Sequence, residues 1–161
     1  MAASYPTSIK SFTTKVDGVD DVQADHVNDL QLEVAALETQ LLTTGTWAPT
    51  FTGFSADPAN GVYRYLVIGD WVFLDVRMPS NGTSNAVGFT ITLPFTAKTI
   101  TNMAWFSAAV GIDNSATLTT AARAGIASGA TVIDLKKDFS GADWTNAGGK
   151  RASFSIHYQK A

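Results

Sequence analysis

Apolar positions along the 161-residue chain recur with two different periods, and the change falls at Gly45. Before it, the stretch from Asp25 to Thr44 (DHVNDLQLEVAALETQLLTT) places Val27, Leu30, Val34, Leu37 and Leu41 at alternating spacings of three and four. That is a heptad seam, with Val27, Val34 and Leu41 at a positions and Leu30 and Leu37 at d positions. It predicts a helix about 30 Å long. Helices of this length are marginal alone in water, and no second amphipathic helix is legible in the chain. The seam is therefore expected to be buried against copies of itself or against the β region that follows; self-association is the favoured expectation. In a parallel bundle Glu33 (g) would face Glu38 (e) of a neighbour. Such exposed like-charge pairs cost only tenths of a kcal/mol, while each buried Val or Leu contributes roughly 1.5–3 kcal/mol, so burial governs. Val at a with Leu at d leans toward dimers in isolated peptides. Asp20 and Asp25 are N-cap candidates and suit the positive helix end, and Gly45 is a C-cap candidate.

After Gly45 the period becomes two. Val87, Phe89, Ile91 and Leu93 alternate with Gly88, Thr90 and Thr92, and Pro94 stops the run. Ala152, Phe154, Ile156 and Tyr158 alternate with Ser153, Ser155 and His157. Residues 62–68 and 71–78 are two β-rich runs joined at Gly69-Asp70, a hairpin signal. Weaker strands are expected at 103–112, 116–123 and 130–136, with turns at Asn81-Gly82, Asp113-Asn114 and Gly148-Gly149. The predicted class is mainly β: an extended arm over 1–24, a helical neck over 25–44, and an antiparallel sandwich or barrel-like head over 45–161.

The arm (MAASYPTSIKSFTTKVDGVDDVQA) has no sustained period. Tyr5, Ile9, Phe12 and Val16 are spaced apolar anchors, so the arm reads either as a segment that docks on another protein by strand addition or as a frayed terminus.

Composition narrows the classes. A hydrophobic content of 45% can furnish a real core, and a charged content of 16% is low for a soluble protein. Cysteine is absent, which excludes disulfides and thiolate chemistry. No apolar run approaches the roughly 20 residues of a membrane span. Met1 followed by small and polar residues, without a signal-peptide pattern, reads as the start of a complete product. Residues 1–44 hold two basic and seven acidic residues, a net −5; residues 45–161 hold nine and seven, a net +2. Neither half has a basic cluster suited to nucleic-acid phosphates.

Candidate chemistry is sparse. His157 shares a strand face with Ser153 and Ser155, but residues two apart do not build a Ser–His–acid relay. Asp113-Asn114-Ser115 lacks the spaced acidic set of a calcium loop and reads as a turn. A glycosidase pair would have to use two aspartates, Asp75 and Asp134 being candidates by residue type alone. Asn81-Gly82-Thr83 fits a glycosylation acceptor but reads as a turn. No catalytic, cofactor or metal residue is assigned.

Aromatics say more. Trp71 and Phe73 share a strand face with Asp75 and Arg77, opposite Val72, Leu74, Val76 and Met78. One face is the core; the other is a subunit interface or, with Trp105, a shallow sugar-binding surface, since aromatic faces beside polar groups suit carbohydrate.

Four motifs in order carry a resemblance. Gly45-Thr46-Trp47-Ala48-Pro49-Thr50, then Ile68-Gly69-Asp70-Trp71-Val72 after Tyr65, then Leu93-Pro94-Phe95-Thr96, then Ala142-Asp143-Trp144-Thr145-Asn146 before a strand ending at Tyr158, resemble a β module of tailed-bacteriophage virion appendages. The front, TSIKSFTTKVDGVDDVQADHVNDLQ, is similar to the entry segments of small phage structural proteins. The hairpin is more aromatic than that pattern, and a glycine-rich stretch precedes the last strand. The resemblance implies a non-enzymatic virion surface protein made in the bacterial cytoplasm. It would be a homotrimer joined through its arm to a capsid or tail protein. A short neck with one head gives little reach, which favours a capsid decoration or head fibre over a tail fibre that recognises host glycan.

Overall fold

The computed structural model describes residues 24–41 and 43–161, with side-chain surroundings for 27–38 and 43–161. The arm anchors Tyr5, Ile9, Phe12 and Val16 lie outside the described residues, as does the side chain of Leu41. The chain divides into a helical unit and a β unit of Thr44–Leu66 and Asp70–Ala161.

Helix α1 runs Ala24–Leu41, shorter at its C-terminal end than the seam predicts. Thr43–Thr46 has already become strand β1, as expected of a run of β-branched threonines. Gly45 is consequently inside a strand and is not a helix cap. A side chain there would run into the Tyr65 ring, so close packing explains this glycine. Along α1 the seam residues Val27, Leu30, Val34 and Leu37 are 46%, 54%, 46% and 39% exposed.

The β unit is built from antiparallel pairs. Its strands continue as β2 (Phe51–Thr52), β3 (Phe54–Ala56), β4 (Val62–Ile68), β5 (Trp71–Arg77), β6 (Gly82–Ser84) and β7 (Thr90–Thr92). Then follow β8 (Ala104–Asp113), β9 (Ala116–Thr117), β10 (Ala122–Ala127), β11 (Val132–Lys136) and β12 (Gly149–Gln159). The main path across the sheet is β1-β4-β5-β12-β8-β10-β11-β7-β2. This curled sheet forms a half-barrel, with β3 and β6 as a small flap on the end of β12. The fold is mainly β with one short helix, as the change of period at Gly45 implies.

Alternation decides which side is inside. Val72, Leu74 and Val76 on β5 face inward and are buried, as are Ala152, Phe154, Ile156 and Tyr158 on β12. Phe89, Ile91, Ile126, Ile133, Leu135 and Trp144 complete the interior. Trp144 donates its indole N–H to Leu135 O at 2.8 Å, and Tyr158 donates its hydroxyl to Phe95 O at 2.7 Å. Trp144 and Tyr158 thus have their polar atoms satisfied, whereas the buried indole N–H of Trp105 has no hydrogen-bond partner. Burial holds the Tyr158 phenol far above its ordinary pKa.

Three local expectations are corrected. The stretch 116–123 is not one strand: Leu118 N bonds Gly111 O, the chain bends at 119–120, and β10 then pairs with Ala104–Ala109 of β8. Only Thr90–Thr92 of the 87–93 run is strand, with Val87 left half exposed. Asn81-Gly82 is not a turn, since Gly82 opens β6 under the Phe54 ring. The turn after Asp113 is as expected: Asn114 and Ser115 have φ of 47° and 63°, the pair of left-handed residues that a two-residue hairpin favours.

Candidate functional site

The site is the outward face of the strands β5, β12, β8 and β10. Strand geometry puts every second residue there. From β5 come Trp71, Phe73, Asp75 and Arg77, and from β12 His157, Ser155, Ser153 and Arg151. The pairing sets Phe73 opposite His157 and Asp75 opposite Ser155. On the other flank Val110 lies opposite Ser153 and Ile112 opposite Arg151.

These registers bring the aromatics into a row. The His157 ring sits 5.6 Å from Trp71 and 5.7 Å from Phe73, near-parallel to the latter at 30°. Beyond Phe73, Arg77 Nε donates to both Asp75 oxygens at 3.0 and 3.3 Å. This pair is solvent-facing, with side chains 71% and 34% exposed, so it orients the two groups and adds little stability. Arg151 donates to Pro79 O. Asp75, Arg77 and Arg151 line an open groove of about 650 Å³ together with Val110 and Ile112.

The second flank is apolar. Phe106 is 57% exposed with the Arg123 guanidinium 5.2 Å over its ring, and Val110 is 73% exposed. Phe106, Ala108, Val110 and Ile112 are the outward positions of β8, so this strand offers no polar outward residue at all. Of the three aromatics expected on this surface, Trp71 and Phe73 are there. Trp105 is not: it is 6% exposed and packs edge-on against Tyr158 at 6.3 Å. The reason is parity, because Trp105 and Ala109 share the inward phase of β8 and Phe106 the outward one. Phe106 and Val110 were missed by sequence reasoning. A signal for them exists, since Ser107 is the one polar residue of Ala104–Ile112 and the phase of Phe106, Ala108, Val110 and Ile112 has none, close to the pattern of a strand covered on both sides.

Elsewhere the polar groups are structural. Asp113 accepts from Thr145 N at 2.9 Å and Thr145 Oγ1 at 2.7 Å, with Lys137 Nζ at 3.4 Å. Burial pushes its pKa up, but these partners outweigh it and hold the carboxyl below its ordinary value. Lys150 is fully buried and donates to Ala86 O at 2.7 Å and Gly88 O at 2.9 Å, with the Phe54 ring 4.9 Å away. Desolvation lowers its pKa. It ties down the loop after β6. Asp75 and Asp134 stand four strand spacings apart on β5 and β11, about 19 Å along the sheet at ~4.8 Å per spacing. That exceeds the ~5–9.5 Å of a glycosidase pair, so the two are not brought together.

A scan against protein-family models and a search of curated proteins both find no match. The surface itself therefore carries the functional argument. Among the described residues no group of three or more His, Asp or Glu is arranged to hold a metal ion, and no helix is long and apolar enough to cross a membrane. The face presents a row of rings on β5 and β12, charges of both signs and an apolar strand, the residue types enriched in protein interfaces.

Proposed function

We propose that the chain is a non-enzymatic structural protein of a tailed-bacteriophage virion. In this reading it is a homotrimeric surface appendage of the capsid-decoration or head-fibre type, anchored by residues 1–24 to the capsid protein. The observation that carries the reading is the exposed seam of α1, with Val27, Leu30, Val34 and Leu37 between 39% and 54% exposed directly ahead of the β unit. A helix with such a stripe is stable only when the stripe is covered, and sister chains supply matching stripes. The ordered motifs from Gly45 to Tyr158 give the β unit its resemblance to virion appendages. The trimer follows from that resemblance, since the seam alone leans toward a dimer.

The test is quantitative mass spectrometry of purified particles. A copy number matching the symmetry-related capsid sites supports the reading, and loss of the protein from particles when residues 1–24 are deleted places the attachment in the arm. Absence from particles overturns it.

A second reading is favoured by one specific feature, the row Trp71–His157–Phe73 ending at Asp75. Stacked rings beside a carboxylate suit a saccharide, which would make the chain a tail fibre or receptor-binding module. Glycan binding lost on Trp71→Ala with folding intact, and only a handful of copies per particle, would favour it over the first.

A further inference from the structure

We infer that the outward face of the β5-β12-β8-β10 sheet is an interface between copies of this chain, separate from the helical seam. The starting point is β8. In a solvated antiparallel sheet the outward phase is polar, yet β8 carries Phe106, Ala108, Val110 and Ile112 there, with Val110 73% exposed at mid-strand. A central strand whose outward phase is apolar from Phe106 to Ile112 is one whose outer side water does not reach in the working assembly.

Size and chemistry say what covers it. Four strands at ~4.8 Å and four outward positions at ~6.8 Å span roughly 19 by 27 Å, about 500 Å² in projection. With side-chain relief that approaches the ~800 Å² per partner of a stable protein interface, and it is far more than a sugar or short peptide would occupy. The face joins the rings of β5 to the apolar strip of β8 across the polar outward residues of β12, Ser153, Ser155 and His157, and Asp75, Arg77 and Arg151 give it charges of both signs. A surface holding acid and base together is self-complementary when a symmetry operator repeats it. The occupant is a second copy. Chains already gathered by their helices would meet at high effective concentration, so even a modest face would close.

The inference concerns the β unit and does not depend on attachment to a particle. A chain absent from virions whose sheet face is nonetheless covered would sink the proposed function and leave this inference standing.

Because the chain has no cysteine, a single thiol reports cleanly. The full chain would carry Val110→Cys or, as a control, Val87→Cys, half exposed on the loop that Lys150 holds at the inward side. Both are labelled with a maleimide at concentrations where light scattering reports the oligomer. We expect the Val110→Cys thiol to react at least about tenfold more slowly than the control, and to catch up on dilution to monomer. Val110→Lys should make the oligomer dissociate at a higher concentration in light scattering while the circular dichroism of the strands stays unchanged. Equal labelling rates in the assembled chain overturn the inference. So does protection that appears only on adding polysaccharide, and so does a chain that is monomeric at every concentration.

Discussion

Trp105 and Phe106 are consecutive in β8 and do opposite things: the indole lies against Tyr158 in the interior, and the phenyl ring lies outside under the Arg123 guanidinium. Trp105→Ala should cost about 3–5 kcal/mol, the range for deleting a buried large aromatic. Phe106→Ala in dilute monomer should cost no more than ~1 kcal/mol, the scale of an exposed cation–π contact. Urea unfolding monitored by circular dichroism checks both, and equal losses would refute the assignment of the two faces.

A pair of glycines gives a sharper contrast. Gly53 has φ of +92°, and a Cβ there would collide with Gly88 O, whereas a Cβ on Gly88 meets nothing within 4 Å. Gly53→Ala should therefore destabilise by more than ~2 kcal/mol, combining backbone strain with a clash. Gly88→Ala should stay within about 1 kcal/mol of the parent in either direction. Thermal unfolding of the two variants side by side decides the matter, and a mild Gly53→Ala would mean that the loop after β6 yields.

The Asp113 carboxyl gives the fold an acid dependence. Its folded pKa lies below the ordinary value of 3.8 because hydrogen bonds from Thr145 and the Lys137 charge outweigh desolvation. Its contribution is fully present above that ordinary value and is lost as pH falls through the lowered one. Asp113→Asn should therefore be less stable than the parent at about pH 6, with the gap narrowing as pH drops below ~4. Denaturant midpoints across that range measure it. A gap that stays constant would show that Thr145 and Lys137 do not favour the ionised form.

How much of this could be read from the residues follows from which signals are local. The inward phase of β5 and β12 was legible because Val72, Leu74, Val76 and Ala152, Phe154, Ile156, Tyr158 alternate without interruption. The hairpin at Gly69 and the turn at Asn114 were legible because left-handed residues betray themselves. What was not legible was set by distant partners. Whether Trp105 or Phe106 faces out depends on the register of β8 against β12 and β10, which apolar residues on both phases leave unspecified. Gly45 was misread because the Tyr65 ring that demands it lies twenty residues along the chain. Lys150 was passed over because its partners, Ala86 O and Gly88 O, are backbone atoms on a loop over sixty residues away. Of the candidate site, Trp71, Phe73, Asp75 and Arg77 were visible as one strand face, while the β8 half waited for the fold.

The helical seam yields the last prediction. Leu30 and Leu37 are d positions, 54% and 39% exposed along α1, so aspartate at both places no charge into a packed part of the chain. In an assembly joined by this seam the same two changes bring several carboxylates together in an apolar strip, where burying them unpaired costs several kcal/mol each. The β unit is a separate compact body and should keep its strand signature. Leu30→Asp with Leu37→Asp should therefore lower the solution mass toward the 17.0 kDa of one chain, while near-ultraviolet signals from Trp105 and Trp144 persist. Multi-angle light scattering over a dilution series reads the outcome. A mass that does not fall would move the principal association surface to the sheet, and adding Val110→Lys to the same chain would then have to release it.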